Sequence, residues 1–295
     1  MTTIHEPVLL SEVLDGLNPQ PNENYIDCTF GGGGQALAIL ERIKPAGKLL
    51  GLDWDPQAVQ TSQQGNLILV NDNYKNLKKI VNDTGLGKVN GILLDLGLSS
   101  DQLGSTGRGF SFQSQGFLDL RYNPDSHRPT AAEILRTYSE QELTDLFKEY
   151  GEEPLARPIA RRIVESRQRG QAIETADMLV QLVSNEYRRR FKNRSRRQPA
   201  TRVFQALRIA VNDEYGNLQA ALPAAIDVLE PKGRLAVISF QSGEDRLVKH
   251  FFKQAAAKDN PTIRILTKKP ITASAKELAA NWRSRSAKLR IIEKL

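Results

Sequence analysis

Residues 27–34 read Asp27-Cys28-Thr29-Phe30-Gly31-Gly32-Gly33-Gly34, directly after the apolar strand start Tyr25-Ile26 and directly before a helical pattern at Ala36–Ile43. Glycine lacks a Cβ, so the chain can turn sharply there and its backbone can approach a ligand closely. A helix that starts at such a turn presents free N–H groups and partial positive charge. Asp53 closes the next apolar stretch, Leu49–Asp53, and an acid in that place accepts hydrogen bonds from ribose hydroxyls. The stretch therefore predicts a pocket for an adenosine-containing cofactor.

Outward from this turn, strand and helix signals alternate. Tyr25–Thr29, Leu49–Asp53, Leu67–Val70 and Gly91–Asp95 are short and almost wholly apolar, as strands covered on both faces are. Helices are expected at Ala36–Ile43 and Leu77–Asn82, and Asp55-Pro56 reads as an N-cap and first position of another. Residues 104–124, rich in Gly, Ser, Phe and Asn, read as a long loop. Residues 130–190 then give only helical signals. Ser139 and Glu142 stand at capping-box spacing, Ile159, Ile163 and Val164 mark a second helix, and Met178–Val183 a third. The strand signal resumes at 233–240 after helices at 201–215 and ending near Leu229, with last strands at Ile263–Leu266 and Leu289–Ile292. The expected fold is α/β, a mostly parallel twisted sheet with helices on both faces. It is formed by residues 1–106 and 200–295, with a loop and all-helical domain inserted at 107–199.

Bulk composition narrows the function. The 295 residues are 40% hydrophobic and 25% charged, with one cysteine and three scattered histidines, His5, His127 and His250. No apolar run approaches the ~20 residues of a membrane span, and no basic-then-apolar leader opens the sequence. A cytoplasmic protein without membrane, disulfide framework or metal is expected. The net charge of +7 makes a polyanionic partner plausible. Residues 188–197 carry seven positive charges; such a tract is either a solvated linker or a phosphate-binding element. Arg283, Arg285, Lys288 and Arg290 form a second basic stretch.

The glycines alone do not choose a cofactor, because Gly31, Gly33 and Ala36 also fit a loosened dinucleotide pattern. Asp95 ends the fourth strand, at the edge where open α/β sheets bind ligands. It is either a helix N-cap or an acceptor near adenine, a sulfonium or a substrate amine. Carboxylates favour the sulfonium cation, and no evident histidine serves hydride chemistry. In the loop, Phe110, Phe112 and Phe117 lie beside Arg108, Asp119 and Arg121. They either anchor the loop or stack on an unpaired base while an arginine meets phosphate. Arg202 and Arg208 on one helix either face RNA or pair with an acid.

Several segments together resemble the RsmH (MraW) family of S-adenosylmethionine-dependent methyltransferases. They are His5–Leu10, Asp27–Gly34, Gly91–Ser100, Arg108–Phe112, Leu118–Arg121, Tyr150–Glu153, Pro199–Arg208, Ser239–Arg246 and Arg285–Arg290, in family order over nearly the whole chain. The resemblance implies a Rossmann-like class I methyltransferase domain and methyl transfer to the exocyclic N4 of a cytidine in the decoding region of 16S-type rRNA. It places cofactor contacts on Gly33, Gly34, Gln35, Asp53, Tyr74, Asp95 and Gln102. Small-subunit rRNA, or the assembled small subunit, would be the partner, with monomer and homodimer both open. Asp95 is the candidate acceptor for the amine N–H. Arg108, Phe110, Phe112, Arg121, Arg202 and Gln241 are candidate substrate contacts. The chain departs from the family at Gln35 and Gln241, where histidine is common, and at Phe117, where proline is common. A glutamine hydrogen-bonds but shuttles no proton. Cys28, at a strand end, reads as a small buried residue, which disfavours cytosine C5 chemistry, where a thiol nucleophile is required. A methyltransferase for another substrate and a non-catalytic rRNA-binding assembly factor are the alternatives.

Overall fold

The computed structural model describes residues 7–98, 107–112, 116–191, 198–257 and 259–295. Its contacts divide the chain into two compact units, Met1–Ser99 with Tyr215–Leu295, and Ser100–Glu214. In chain order the first unit begins with α1 (Leu10–Leu17), β1 (Tyr25–Asp27), α2 (Gly34–Ile43), β2 (Leu49–Asp53), β3 (Ser62–Gln64), β4 (Leu67–Asn71), α3 (Leu77–Thr84) and β5 (Val89–Asp95). The second unit holds α4 (Ala131–Thr137), α5 (Glu140–Glu149), α6 (Ala156–Gln168), α7 (Ala176–Phe191) and α8 (Thr201–Asn212). The first then resumes with α9 (Glu214–Val228), β6 (Leu229–Ser239), α10 (Ser242–Ala256), β7 (Ile263–Ile265), α11 (Ala275–Ala280) and β8 (Lys288–Lys294).

The eight strands lie in the order β3-β4-β2-β1-β5-β6-β8-β7. The five from β4 to β6 run parallel, while β3, β7 and β8 pair antiparallel with their neighbours. Alternation of side chains along each strand explains two cores. Ile26, Leu50, Leu52, Ile92 and Leu94 meet Leu77, Ile80, Leu218, Leu222, Val248 and Phe252 on one face. Tyr25, Leu49, Leu93, Ala236 and Ile238 meet Val13, Leu17, Ala36, Ile39 and Ile43 on the other. Each such aliphatic side chain contributes roughly 2 kcal/mol by leaving water. The expected α/β class with helices on both faces is what the chain adopts. Sheet order reverses at β1, which lies between β2 and β5, so the ligand-binding crevice belongs at the carboxyl ends of these strands.

Three local expectations are corrected. No helix follows Asp55-Pro56. Asp55 Oδ1 accepts from Gln57 N at 3.0 Å and its carbonyl from Ala58 N at 3.0 Å, closing a turn that leads into β3. β3 itself was not expected, because Ser62-Gln63-Gln64 offers no apolar residue. Finally, the second unit runs through Glu214 instead of ending at 199. Helix α8 is tied to it by Gln205 donating to Tyr150 O at 3.0 Å and by Asn212 Nδ2 donating to Leu120 O at 2.7 Å.

Within the second unit the expected capping box forms: Ser139 Oγ accepts from Glu142 N at 3.2 Å, and Glu142 Oε2 from Ser139 N at 2.7 Å. Thr130 and Glu133 form another ahead of α4. Among the described residues no helix is long and apolar enough to cross a membrane.

Candidate active site

Three of the parallel strands end in aspartate; Asp27 is buried, and Asp53 and Asp95 are half-buried. Asp27 closes β1, Asp53 closes β2 and Asp95 closes β5. Register places Asp27 beside Gly51 and Leu93, and Asp95 beside Ile238 of β6. Asp27 Oδ1 accepts from Thr29 N at 3.0 Å and Thr29 Oγ1 at 3.2 Å. Thr29 Oγ1 in turn accepts from Asp95 N at 2.8 Å, so one hydroxyl joins β1 to β5. Asp53 accepts from Gly31 N and Asp55 N, both at 2.9 Å, which anchors the glycine turn. Asp95 Oδ2 accepts from Gln35 Nε2 at 2.8 Å.

The turn between β1 and α2 requires glycine. Gly31 and Gly33 have φ of +49° and +78°, a region costly for other residues. A Cβ on Gly33 would also come within 2.9 Å of the Phe30 ring. Among the described residues nothing lies within 4 Å of a Cβ built on Gly32, so none of them crowds the crown of the turn. Gly34 opens α2, and a Cβ there would meet Pro7 at 2.5 Å.

Burial sets the electrostatics. It pushes Asp27 up to about 7, with the nearby Asp95 adding to the rise and the Thr29 donors opposing it. It pushes Asp53 up to about 6 against the opposing Asp55 and Gly31 amides. It pushes Asp95 up to about 6 against Gly97 N and Gln35. Among the described residues no ion pair meets any of the three. Desolvated carboxylates without a counter-charge favour a bound cation.

The other anticipated residues fall in several places. Tyr74 begins a 3-10 turn, Tyr74–Asn76, just past β4, and packs against the core on one sheet face. Gln35 is 7% exposed and holds Asp95. Gln241 caps α10, its amide donating to Glu244 Oε1 at 2.7 Å. Gln102 lies outside the described residues. Cys28 is buried, and burial pushes its thiol well up, so it supplies no thiolate. Asp27 and Thr29 were not anticipated as site residues; the signal available was that Asp27, like Asp53 and Asp95, ends an apolar strand.

Arg108, Phe110, Phe112, Arg121 and Arg202 all belong to the second unit. Arg108 is buried, donates to Tyr122 O at 2.8 Å, and lies over the Phe110 ring at 5.5 Å. Phe110 stacks on Tyr122, and Phe112 meets Phe204 edge to face. Arg121 clamps Asp119 with contacts of 2.6 and 2.9 Å. Arg208 takes Glu214 the same way, at 2.7 and 3.0 Å. Arg202 is exposed and donates to Glu152 O at 3.1 Å. Of the basic tract, Arg188–Arg190 end α7 and are exposed, while residues 192–197 lie outside the described residues.

The sequence profile of the MraW methylase family matches residues 2–295. The chain belongs to the MraW methylase family. Among relatives, ribosomal RNA small subunit methyltransferase H of Thermomicrobium roseum is 48% identical, covering 100% of this chain and 95% of that protein. The protein of the same name from Heliobacterium mobile is 46% identical over 99% of both chains. A solved rRNA methylase from Streptococcus thermophilus, 12% identical with a TM-score of 0.41 over 100% of this chain and 99% of its own, is too remote to bear on the site. Family membership settles the choice the glycines left open in favour of a methylase.

The residues present fit the S-adenosylmethionine that such a methylase uses. An ionised carboxylate has about four acceptor positions, so Asp53 keeps capacity for a ribose hydroxyl beyond its backbone donors. Its neighbours Asp27 and Asp95 supply the negative charge a sulfonium favours, and the crown at Gly32, crowded by none of the described residues, lets a ligand approach the backbone.

Proposed function

We propose that this protein transfers a methyl group from S-adenosylmethionine to the exocyclic N4 of a cytidine in small-subunit ribosomal RNA. The observation that carries the reading is the trio of strand-end carboxylates, Asp27 buried and Asp53 and Asp95 half-buried, met by no ion pair among the described residues, in a chain of the methylase family. When bound, the donor supplies an electrophilic methyl group: the N4–CH3 bond forms as the S–CH3 bond breaks, and a proton leaves N4. Asp53 and the amides of the glycine turn hold the adenosine end. Asp95, held by Gln35, accepts a hydrogen bond from the amine N–H. That contact returns to nitrogen the lone pair that the cytosine ring withdraws. At about 6, Asp95 is ionised at neutral pH and basic enough to take the proton at Oδ. Alignment of the two reactants supplies several kcal/mol more. The second unit serves the RNA, through the exposed Arg188–Arg190 and Arg202 on its helices.

The test is incubation with labelled S-adenosylmethionine and unmodified small subunits, followed by mass spectrometry of the methylated nucleoside. One N4-methylated cytidine is expected. Methylation at C5, or no transfer, overturns the reading.

A further inference from the structure

Among the described residues of the first unit, one large aromatic side chain is left largely in water by the packing around it. Trp282 is 72% exposed, the most exposed of the large hydrophobic side chains among the described residues. It opens a 3-10 turn, Trp282–Ser286. The turn is fixed from beneath: Asn281 Oδ1 accepts from Arg283 N at 3.2 Å, Asn281 O from Ser284 Oγ at 2.7 Å, and Ser284 is fully buried. A turn held by these hydrogen bonds therefore presents an exposed ring, with Arg283 and Arg285 on the same turn.

The turn also has a defined place. It leads into β8, whose first residue, Lys288, pairs with Ser239, the last residue of β6. Ile238 of β6 pairs with Asp95. The Trp282 turn thus stands at the sheet edge that carries Asp27, Asp53 and Asp95. A second route joins them: Glu277 of the preceding α11 accepts from Leu9 N at 2.7 Å, Val8 O accepts from Gln35 at 3.5 Å, and Gln35 holds Asp95. Further along the same segment, Arg290 and Lys288 meet Asp245 at 2.7 and 3.4 Å.

We propose that Trp282 is a stacking platform for an unpaired base of the RNA strand beside the methyl-transfer site, with Arg283 and Arg285 meeting the adjoining phosphates. The proposal rests on the ribosomal-RNA reading above. An amine on a base edge is reached only when the base leaves its helix, so the bases next to it lose their stacking partners. An aromatic face with cations beside it receives such bases without regard to sequence.

The probe is a labelled single-stranded RNA of about twelve nucleotides, within the span such surfaces cover. Trp282→Ala should weaken its binding roughly tenfold or more, while Trp282→Phe keeps most of the affinity. Neither should change affinity for S-adenosylhomocysteine or the melting temperature, which separates a lost contact from a lost fold. RNA affinity unchanged in Trp282→Ala overturns the proposal. So does a dimer that becomes monomeric in Trp282→Ala with RNA affinity intact, since a second copy would then be the occupant. If wild-type protein methylates small subunits and Trp282→Ala does so with the same KM, only the platform falls. If wild-type protein methylates no RNA, the ribosomal-RNA reading falls first.

Discussion

In the second unit, Asp119 meets Arg121 at 2.6 Å, Glu214 meets Arg208 at 2.7 Å, and Glu165 and Glu186 meet Arg162 at 2.8 and 2.9 Å. At the strand ends of the first unit, Asp27, Asp53 and Asp95 meet, among the described residues, only N–H and O–H donors and stand far above the usual carboxylate range. The chain has more basic than acidic residues, 41 to 34, so a counter-charge was available. An acid paired inside the protein serves the fold. An acid buried without a counter-ion costs stability in the free protein and is repaid when a cation binds.

Breaking a pair in the second unit should therefore cost stability and leave the donor site alone. Arg208→Met strands Glu214 inside its unit and should lower unfolding free energy by about 3 kcal/mol, read by urea denaturation, with affinity for S-adenosylhomocysteine of the folded protein unchanged. Asp53→Asn should do the reverse. It should weaken S-adenosylmethionine and S-adenosylhomocysteine alike by tenfold to roughly a hundredfold, read by calorimetry, without a comparable loss of stability. Asp95→Asn sharpens the comparison further. It should weaken the sulfonium donor about tenfold, spare the neutral S-adenosylhomocysteine, and slow single-turnover methylation. Equal affinity for the donor and an unchanged single-turnover rate would remove Asp95 from the site. The smallest effect belongs to Gln35→Leu. Removing a donor to the carboxylate raises Asp95, so the acid limb of the single-turnover pH profile should move upward while the rate at pH 8 changes little.

The pattern of these results depends on pH in a fixed direction. Unfolded aspartates titrate near 4, whereas Asp27, Asp53 and Asp95 titrate at about 7, 6 and 6 in the folded chain. The folded state then binds more protons than the unfolded one between these values. The stability these groups contribute is complete below about pH 4 and is lost as pH rises through 6 to 7. A bound cation lowers the three values and expels protons.

What local chemistry dictates was readable from the sequence. The glycine turn, the strand ends at Asp53 and Asp95, and the Ser139–Glu142 capping box each depend on residues a few positions apart. What depends on partners far along the chain was not. Thr29 becomes a bridge only because β1 pairs with β5, and nothing near Thr29 announces that. Arg108 reads as a phosphate contact in the sequence, whereas the folded chain lays its guanidinium over the Phe110 ring and onto the Tyr122 carbonyl. The polar edge strand Ser62–Gln64 exists because β4 offers it a pairing edge, not through any apolar pattern of its own. Asp55-Pro56 carries a helix-start signal that the Asp55 turn uses differently.

The measurement that bears most directly on the trio of carboxylates is proton release on ligand binding. Calorimetric titration at pH 6.5, in two buffers of different ionisation enthalpy, counts the protons set free. S-adenosylmethionine should release a clear fraction of a proton and S-adenosylhomocysteine markedly less, because only the former brings a positive charge. Equal release by the two ligands, or none by either, would contradict the account.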